Sequence, residues 1–199
     1  MPGAKLAEDE RQGQLLRAAY TVALRDGLDQ VTARRVATEA GTSAGLIYFH
    51  FGTMEDLVLT LLDELLAAAL DAEVTPAVAA LPTASARLEA LLDEEIRGLP
   101  EQRGPVDLFF GFWFGSRSPR YRERINGALV AYQRVFEGVC GDVVAEWGHP
   151  PGVTATALAE LVVAFVQGAA VQMLRDPAHF DVEAMRAAAR ALLRSRLAP

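Results

Sequence analysis

Apolar residues recur at the three- and four-residue spacing of helices in one segment after another, and most glycines and prolines fall between those segments. A first helix is predicted over Ala7 to Arg25, with Leu16, Ala19 and Ala23 on one face and Leu15 and Val22 beside them. Gly27 closes it and Leu28 folds back as an apolar plug. Between Thr32 and Phe51 the chain reads as two short helices of about seven or eight residues, capped by Thr32 and broken at Ala40-Gly41-Thr42-Ser43. Gly41 carries no Cβ to penalise positive φ, so it turns the chain, and Ser43 is placed to offer its hydroxyl to the next helix.

After Gly52 and a cap at Thr53 comes a long helix from Met54 to about Glu73, striped by Leu57, Leu61, Leu62, Leu65, Leu66, Ala69 and Leu70. Beyond Pro76 the pattern is that of a bundle. Helices are predicted over Thr83 to Gly98, Val106 to Ser116, Arg120 to Trp147, Val153 to Arg175 and Val182 to Leu197, with Pro100 to Pro105 as a loop. The expected class is all-α with about nine helices, a three-helix head over residues 1–52 and a helical body over 53–199.

Composition agrees: 51% hydrophobic and 23% charged over 199 residues is enough for a real core and far from disorder. The single cysteine, Cys140, excludes an internal disulfide, and its apolar neighbours favour a buried inert thiol. The polar start MPGAKLAEDERQG has no apolar core, and no window nears eighteen uninterrupted apolar residues, so no signal peptide or membrane span is expected and the location is expected to be cytoplasmic. The net charge of −7 argues against a nucleic-acid partner only until it is divided. The first 51 residues hold six Lys/Arg and six Asp/Glu, so all of the excess belongs to the remainder.

A neutral head leaves room for local DNA contacts. In the segment TARRVATEAGTSAGLIYFHF, Val36, Ala37, Ala40, Ile47 and Phe51 are the inward positions, and the opposite face of the second helix stays free to enter a major groove. The expected contacts are Arg34, Thr42, Ser43, Gly45, Tyr48 and His50, with Ala44 and Leu46 on the same surface and Thr32 seating a phosphate. Arg35 shares the first turn with Arg34; either reaches the backbone or stays solvated.

From Leu15 to Val58 the chain resembles the DNA-binding head of the tetracycline-repressor (TetR) family of bacterial regulators. The resemblance is carried by Asp26-Gly27-Leu28, Thr32, Val36-Ala37, Gly41-x-Ser43, Ile47-Tyr48-x-x-Phe51 and Glu55-x-Leu57. It implies a dimer on a pseudo-palindromic operator, a small-molecule effector in the body, and a helix after the head that carries ligand-induced movement. Relatives often have a basic residue where Ala44 stands and a lysine where Met54 stands. Their absence implies a lower salt slope of DNA binding, by roughly one unit per missing contact.

In the body, Leu108, Phe109, Phe110, Phe112, Trp113 and Phe114 leave one helix with no polar side. Such a helix is buried all round or faces a cavity. Phe109, Phe112 and Trp113, with Gln167, are the expected effector wall; plain core packing is the alternative. An acidic neighbour such as Asp107 would favour a cationic or amphipathic effector. The last two helices suggest a self-complementary four-helix interface with Leu158, Leu161, Phe165, Gln172 and Leu192 as candidates. ELVVAFVQGAAVQMLRDP is similar to the matching stretch of choline-responsive betaine regulators, which implies dimerisation.

His50, His149 and His179 stand alone, without carboxylate, thiol or second histidine at ligand spacing. No phosphate loop or nucleophile elbow appears, so no catalytic residue, metal or cofactor is expected. Two other classes remain: a ligand- or partner-sequestering module that has lost operator binding, and a small-molecule enzyme on a helical scaffold.

Overall fold

The computed structural model describes residues 8–69, 74–115 and 118–195, and those residues form ten α-helices and one 3-10 turn. Tertiary contacts divide the chain into two compact units. The first comprises Met1–Ala69 with Asp107–Ile125, and the second Leu70–Val106 with Asn126–Pro199.

In the first unit, α1 (Glu8–Asp26) opens with Glu8, Asp9 and Glu10 at the positive end of its dipole. Gly27, at φ 98°, releases the chain into a 3-10 turn, Leu28–Gln30. Leu28 does fold back: a Cβ on Gly111 would stand 3.1 Å from its Cδ1, so the plug lies on bare backbone contributed from much later in the chain. Next come α2 (Ala33–Glu39), α3 (Ala44–Phe51) and α4 (Met54–Ala69). Leu15, Ala19, Val22, Val36, Ile47, Leu57 and Leu62 are all fully buried. The predicted end of the α4 stripe, Leu70 to Glu73, lies outside the described residues.

The second unit contains α5 (Pro76–Ala79), a single turn capped by Thr75 that periodicity cannot detect, and α6 (Ala84–Gly98), capped by Thr83. α7 runs Arg103–Gly115, three residues earlier than predicted. Pro105 lies in its first turn, where a missing N–H costs no intrahelical bond, so the proline read as a loop marker is tolerated. α8 is Pro119–Glu146, and its first two turns belong to the first unit. α9 (Ala155–Arg175) and α10 (Val182–Ser195) complete the chain.

The core of the second unit joins Leu88, Leu92 and Ile96 of α6 to Tyr132, Phe136, Cys140 and Val143 of α8, and to Ala159, Val162 and Val166 of α9. Burying one such large side chain stabilises by about 1.5–3 kcal/mol. By length and composition α9 could cross a membrane. Eight of its residues are instead buried, which makes it a core helix with one face left over.

Two acidic residues of α6, Glu89 and Asp93, face α10. Asp93 accepts from Arg186 Nε at 2.7 Å and from Arg190 Nε at 3.1 Å, and Glu89 accepts from Arg194 Nη2 at 2.7 Å and Nε at 3.0 Å, so α10 is clamped onto α6. Glu146 accepts from Ala84 N at 2.6 Å and Ser85 Oγ at 2.7 Å. The end of α8 thereby caps the start of α6, and these bonds hold the Glu146 carboxyl below its ordinary range.

Candidate nucleic-acid interface

The turn between α2 and α3 is built by backbone bonding. Gly41 sits at φ 63°, Thr42 N donates to Ala37 O at 2.9 Å and Gly41 N to Thr38 O at 3.2 Å, the paired bonds of a Schellman ending. Thr32 caps α2 by accepting from Arg35 N at 3.4 Å. Ser43 occupies the N-cap position of α3 in extended conformation, but its hydroxyl makes no capping bond, contrary to expectation. That hydroxyl is exposed and remains able to bond elsewhere.

Two glutamines on α1, unremarked in the sequence pattern, tie this unit down. Gln14 Nε2 donates to Ala40 O at 2.8 Å, at the turn itself, and Gln12 Nε2 reaches His50 O at 3.5 Å, near the end of α3. Polar residues on an otherwise apolar helix face are the only trace they leave in the sequence. With Val36 and Ile47 fully buried, α1 is thus bonded to the end of α2 and to the last turn of α3.

The outer face of α3 carries Gly45, Tyr48 and Phe49. Tyr48 is 51% exposed and Phe49 75% exposed, an unusual presentation of two neighbouring aromatic rings to solvent. Phe49 was not among the expected contacts; it meets the His50 ring edge to face at 5.0 Å. Thr42, Ala44, Leu46 and His50 are half-buried. The Nδ1 of His50 is enclosed without a hydrogen-bond partner, so the side of the ring that reaches solvent is the Nε2 side.

The two arginines of α2 differ. Arg35 Nη1 is paired with Asp26 at 3.0 Å, and Arg25 bridges Asp26 and Glu39 at 3.0 and 2.9 Å, so Arg35 holds α2 to α1. The Arg25 bonds are the main reason the Asp26 carboxyl lies below its usual range. Arg34 is exposed and its side chain meets no partner among the described residues. α3 itself contains no lysine or arginine.

Two short helices joined by a Schellman turn, with Val36 and Ile47 fully buried and the outer face of the second helix exposed, form a helix-turn-helix. Comparison with known families matches residues 15–61 to "Bacterial regulatory proteins, tetR family" and residues 82–198 to "BetI-type transcriptional repressor, C-terminal". The chain belongs to the TetR family.

This TetR-family chain is 27% identical over 148 residues to the HTH-type transcriptional regulator BetI of Vibrio atlanticus (strain LGP32), covering 69% of this chain and 74% of that one. A transcriptional regulator from Pseudomonas aeruginosa PAO1 superposes with a TM-score of 0.81 at 21% identity, over 98% of this chain and 94% of the other. One from Saccharomonospora viridis, solved in complex with choline, gives 0.76 at 24% identity over 94% and 96%. The TetR-family chain is a DNA-binding transcriptional regulator, with the BetI-type region placing it in the betaine-regulator branch.

Of the effector candidates, Phe109, Phe112 and Trp113 lie in the first unit and Gln167 in the second. Phe109 and Phe112 are buried and Trp113 half-buried; Phe112 meets Tyr121 edge to face at 5.8 Å. α7 is not enclosed all round: Phe110, Trp113 and Phe114 stack nearly parallel, and Phe114 is 74% exposed. On α9, Leu158 turns into the core and Phe165 packs against it, leaving neither much surface to offer a partner. Leu161, Gln172 and, on α10, Leu192 are exposed.

Proposed function

We propose that the chain is a homodimeric cytoplasmic repressor whose paired α3 helices read a pseudo-palindromic operator, and that a small amphipathic molecule entering the body releases it. The observation that carries this reading is the exposed Tyr48–Phe49 face on a turn-capped helix-turn-helix, in a chain whose C-terminal region matches BetI-type repressors. A helix of eight residues is about 12 Å long and reads few base pairs, so two copies about 34 Å apart on successive major grooves are needed. Arg34, Thr42, Ser43, Gly45, Tyr48 and His50 are the proposed contacts, with Thr32 at a phosphate; Phe49 joins them. A thymine methyl is the natural partner for an exposed phenyl edge.

A self-complementary face is available on α9. Ala157, Leu161, Ala164, Gly168, Val171 and Gln172 are exposed and follow helical spacing, while Leu158, Val162 and Val166 point inward. Small residues allow close approach of a second copy, and the exposed Ala184, Ala187, Ala188 and Ala191 of α10 are of the same kind. For the effector, Phe109, Phe112 and Trp113 are the proposed wall. Aromatic faces suit a compact organic cation, the chemistry of the choline held by the Saccharomonospora viridis protein. An affinity difference of about 2–3 kcal/mol between operator-competent and released forms suffices to switch most operators.

The absence of Lys and Arg from α3, together with the engagement of Arg35 by Asp26, favours one second reading: a sequestering module that no longer binds an operator. A gel-shift titration against DNA flanking the protein's own gene separates the two. A shift at low salt that choline or another bound amphiphile reverses supports the repressor. A folded dimer that shifts nothing removes it, and turnover of a bound compound would bring back the enzyme.

A further inference from the structure

The first turn of α4 is electrostatically ill suited to the surface it adjoins. Glu55 and Asp56 occupy it, which favours the helix dipole. Yet α4 begins only three residues after α3 ends, and an Asp56 oxygen lies 3.9 Å from where a Cβ on Gly52, the cap of α3, would stand. With α3 in a major groove walled by phosphates, carboxylates beside its end would feel phosphate charge over the Debye length of about 8–10 Å. α3 has no cation, Arg25 and Arg35 are paired with Asp26 and Glu39, and neither Arg34 nor Arg11, which donates to the neutral Gln14, is bonded to either acid.

One guanidinium answers both acids. Arg120, in the first turn of α8, donates from Nη1 to Glu55 Oε2 at 3.1 Å and from Nη2 to Asp56 Oδ1 at 2.8 Å. The remaining oxygens are also engaged: Ser118 donates to Glu55 Oε1 at 2.9 Å, and Thr53 to Asp56 Oδ2 at 2.6 Å. All four carboxylate oxygens thus point into fixed bonds. All these residues lie in the first compact unit. Exposed ion pairs add little to folding stability, so stability alone does not explain such complete engagement.

We propose that Arg120 is a positioning residue for DNA binding: it neutralises the Glu55–Asp56 pair beside α3 and holds both carboxylates off the phosphates. The proposal rests on the reading of α3 as the groove helix. It makes part of the DNA surface's charge balance the property of a residue far outside the helix-turn-helix.

Four full-length proteins decide it: wild type, R120A, E55Q/D56N and the triple variant R120A/E55Q/D56N. Each is titrated by fluorescence anisotropy against one random-sequence duplex of about 30 base pairs at about 50 mM salt, where phosphate electrostatics dominate. R120A is expected to bind about tenfold more weakly, E55Q/D56N about tenfold more tightly, and the triple variant at least as tightly as wild type. A triple variant as weak as R120A would make Arg120 a structural latch and overturn the proposal, as would an R120A indistinguishable from wild type. Should R120A fail to fold, judged by its melting curve, the E55Q/D56N arm still decides: unchanged or weaker binding overturns the idea. Wild type that binds no duplex removes the groove reading and the proposal together, whereas four equal titrations remove the proposal alone.

Discussion

Tyr132 of α8 donates its phenolic hydrogen to Glu95 of α6, with 2.6 Å between the oxygens. Burial pushes the Glu95 carboxyl above its ordinary 4.5, the Tyr132 bond pulls it back down, and neighbouring Glu94 adds to the rise. Burial likewise pushes the Tyr132 hydroxyl well above its usual range, so it stays a donor. A carboxyl raised in the folded state binds its proton more readily there than when unfolded. Its contribution to stability is therefore full below 4.5 and fades as pH rises through the folded value. E95Q is expected to stabilise at pH 7 and to flatten that slope, while Y132F, which leaves the carboxylate without its donor, costs about 1–2 kcal/mol. Urea titrations at several pH values measure both.

Asp93 behaves in the opposite sense. The Arg186 hydrogen bond, against the counter-effect of burial and with help from Arg190, holds its carboxyl down at about 2, against 3.8 in an unstructured chain. The stabilisation is present above 3.8 and is lost as pH falls toward about 2. D93N is expected to lose on the order of 1 kcal/mol at neutral pH, a figure reduced for partial solvent screening. The difference from wild type should vanish in strong acid. Because Asp93 is where Arg186 and Arg190 converge, the loss should appear first as faster amide exchange along α10.

Which features were legible in the sequence follows from where their partners lie. Gly27, Gly41 and Gly52 mark helix ends by local backbone chemistry, and each occurs at positive φ where expected. The stripes of α4, α6 and α9 announce their buried faces because a 3.6-residue period needs no knowledge of what covers it. Gln14, Asp93 and Glu146 carry no local signal of their bonds, since their partners Ala40, Arg186 and Ser85 are 26, 93 and 61 positions away. The same distance hides Arg120 from any reading of the head alone. Phe49 was missed for another reason: an apolar residue among apolar residues gives no sign that it faces outward.

On α9, Leu158 and Leu161 are three residues apart and face different ways, 8% and 66% exposed. L158A should empty core volume and cost about 2–4 kcal/mol. L161E adds charge to the face proposed for a second copy and leaves the core intact. Sedimentation equilibrium should show L161E as a folded monomer with an unchanged monomer melting profile and weakened DNA binding. A stable L161E dimer would place the interface elsewhere.

The exposed rings of α3 give the most direct test of the DNA surface. Tyr48 and Phe49 are half to three-quarters solvent-exposed, so Y48A and F49A should change folding stability by no more than about 0.5 kcal/mol. Each removes a groove-facing contact, and a loss of about 1–2 kcal/mol corresponds to about a five- to thirtyfold weaker Kd for the flanking DNA. R34A, by contrast, removes a phosphate-type charge and should weaken all duplexes alike while lowering the salt slope by about one unit. Gel shifts on specific and random duplexes, run beside thermal melts, separate the three variants. Y48A and F49A that bind within about twofold of wild type would mean that α3 does not enter the groove by this face.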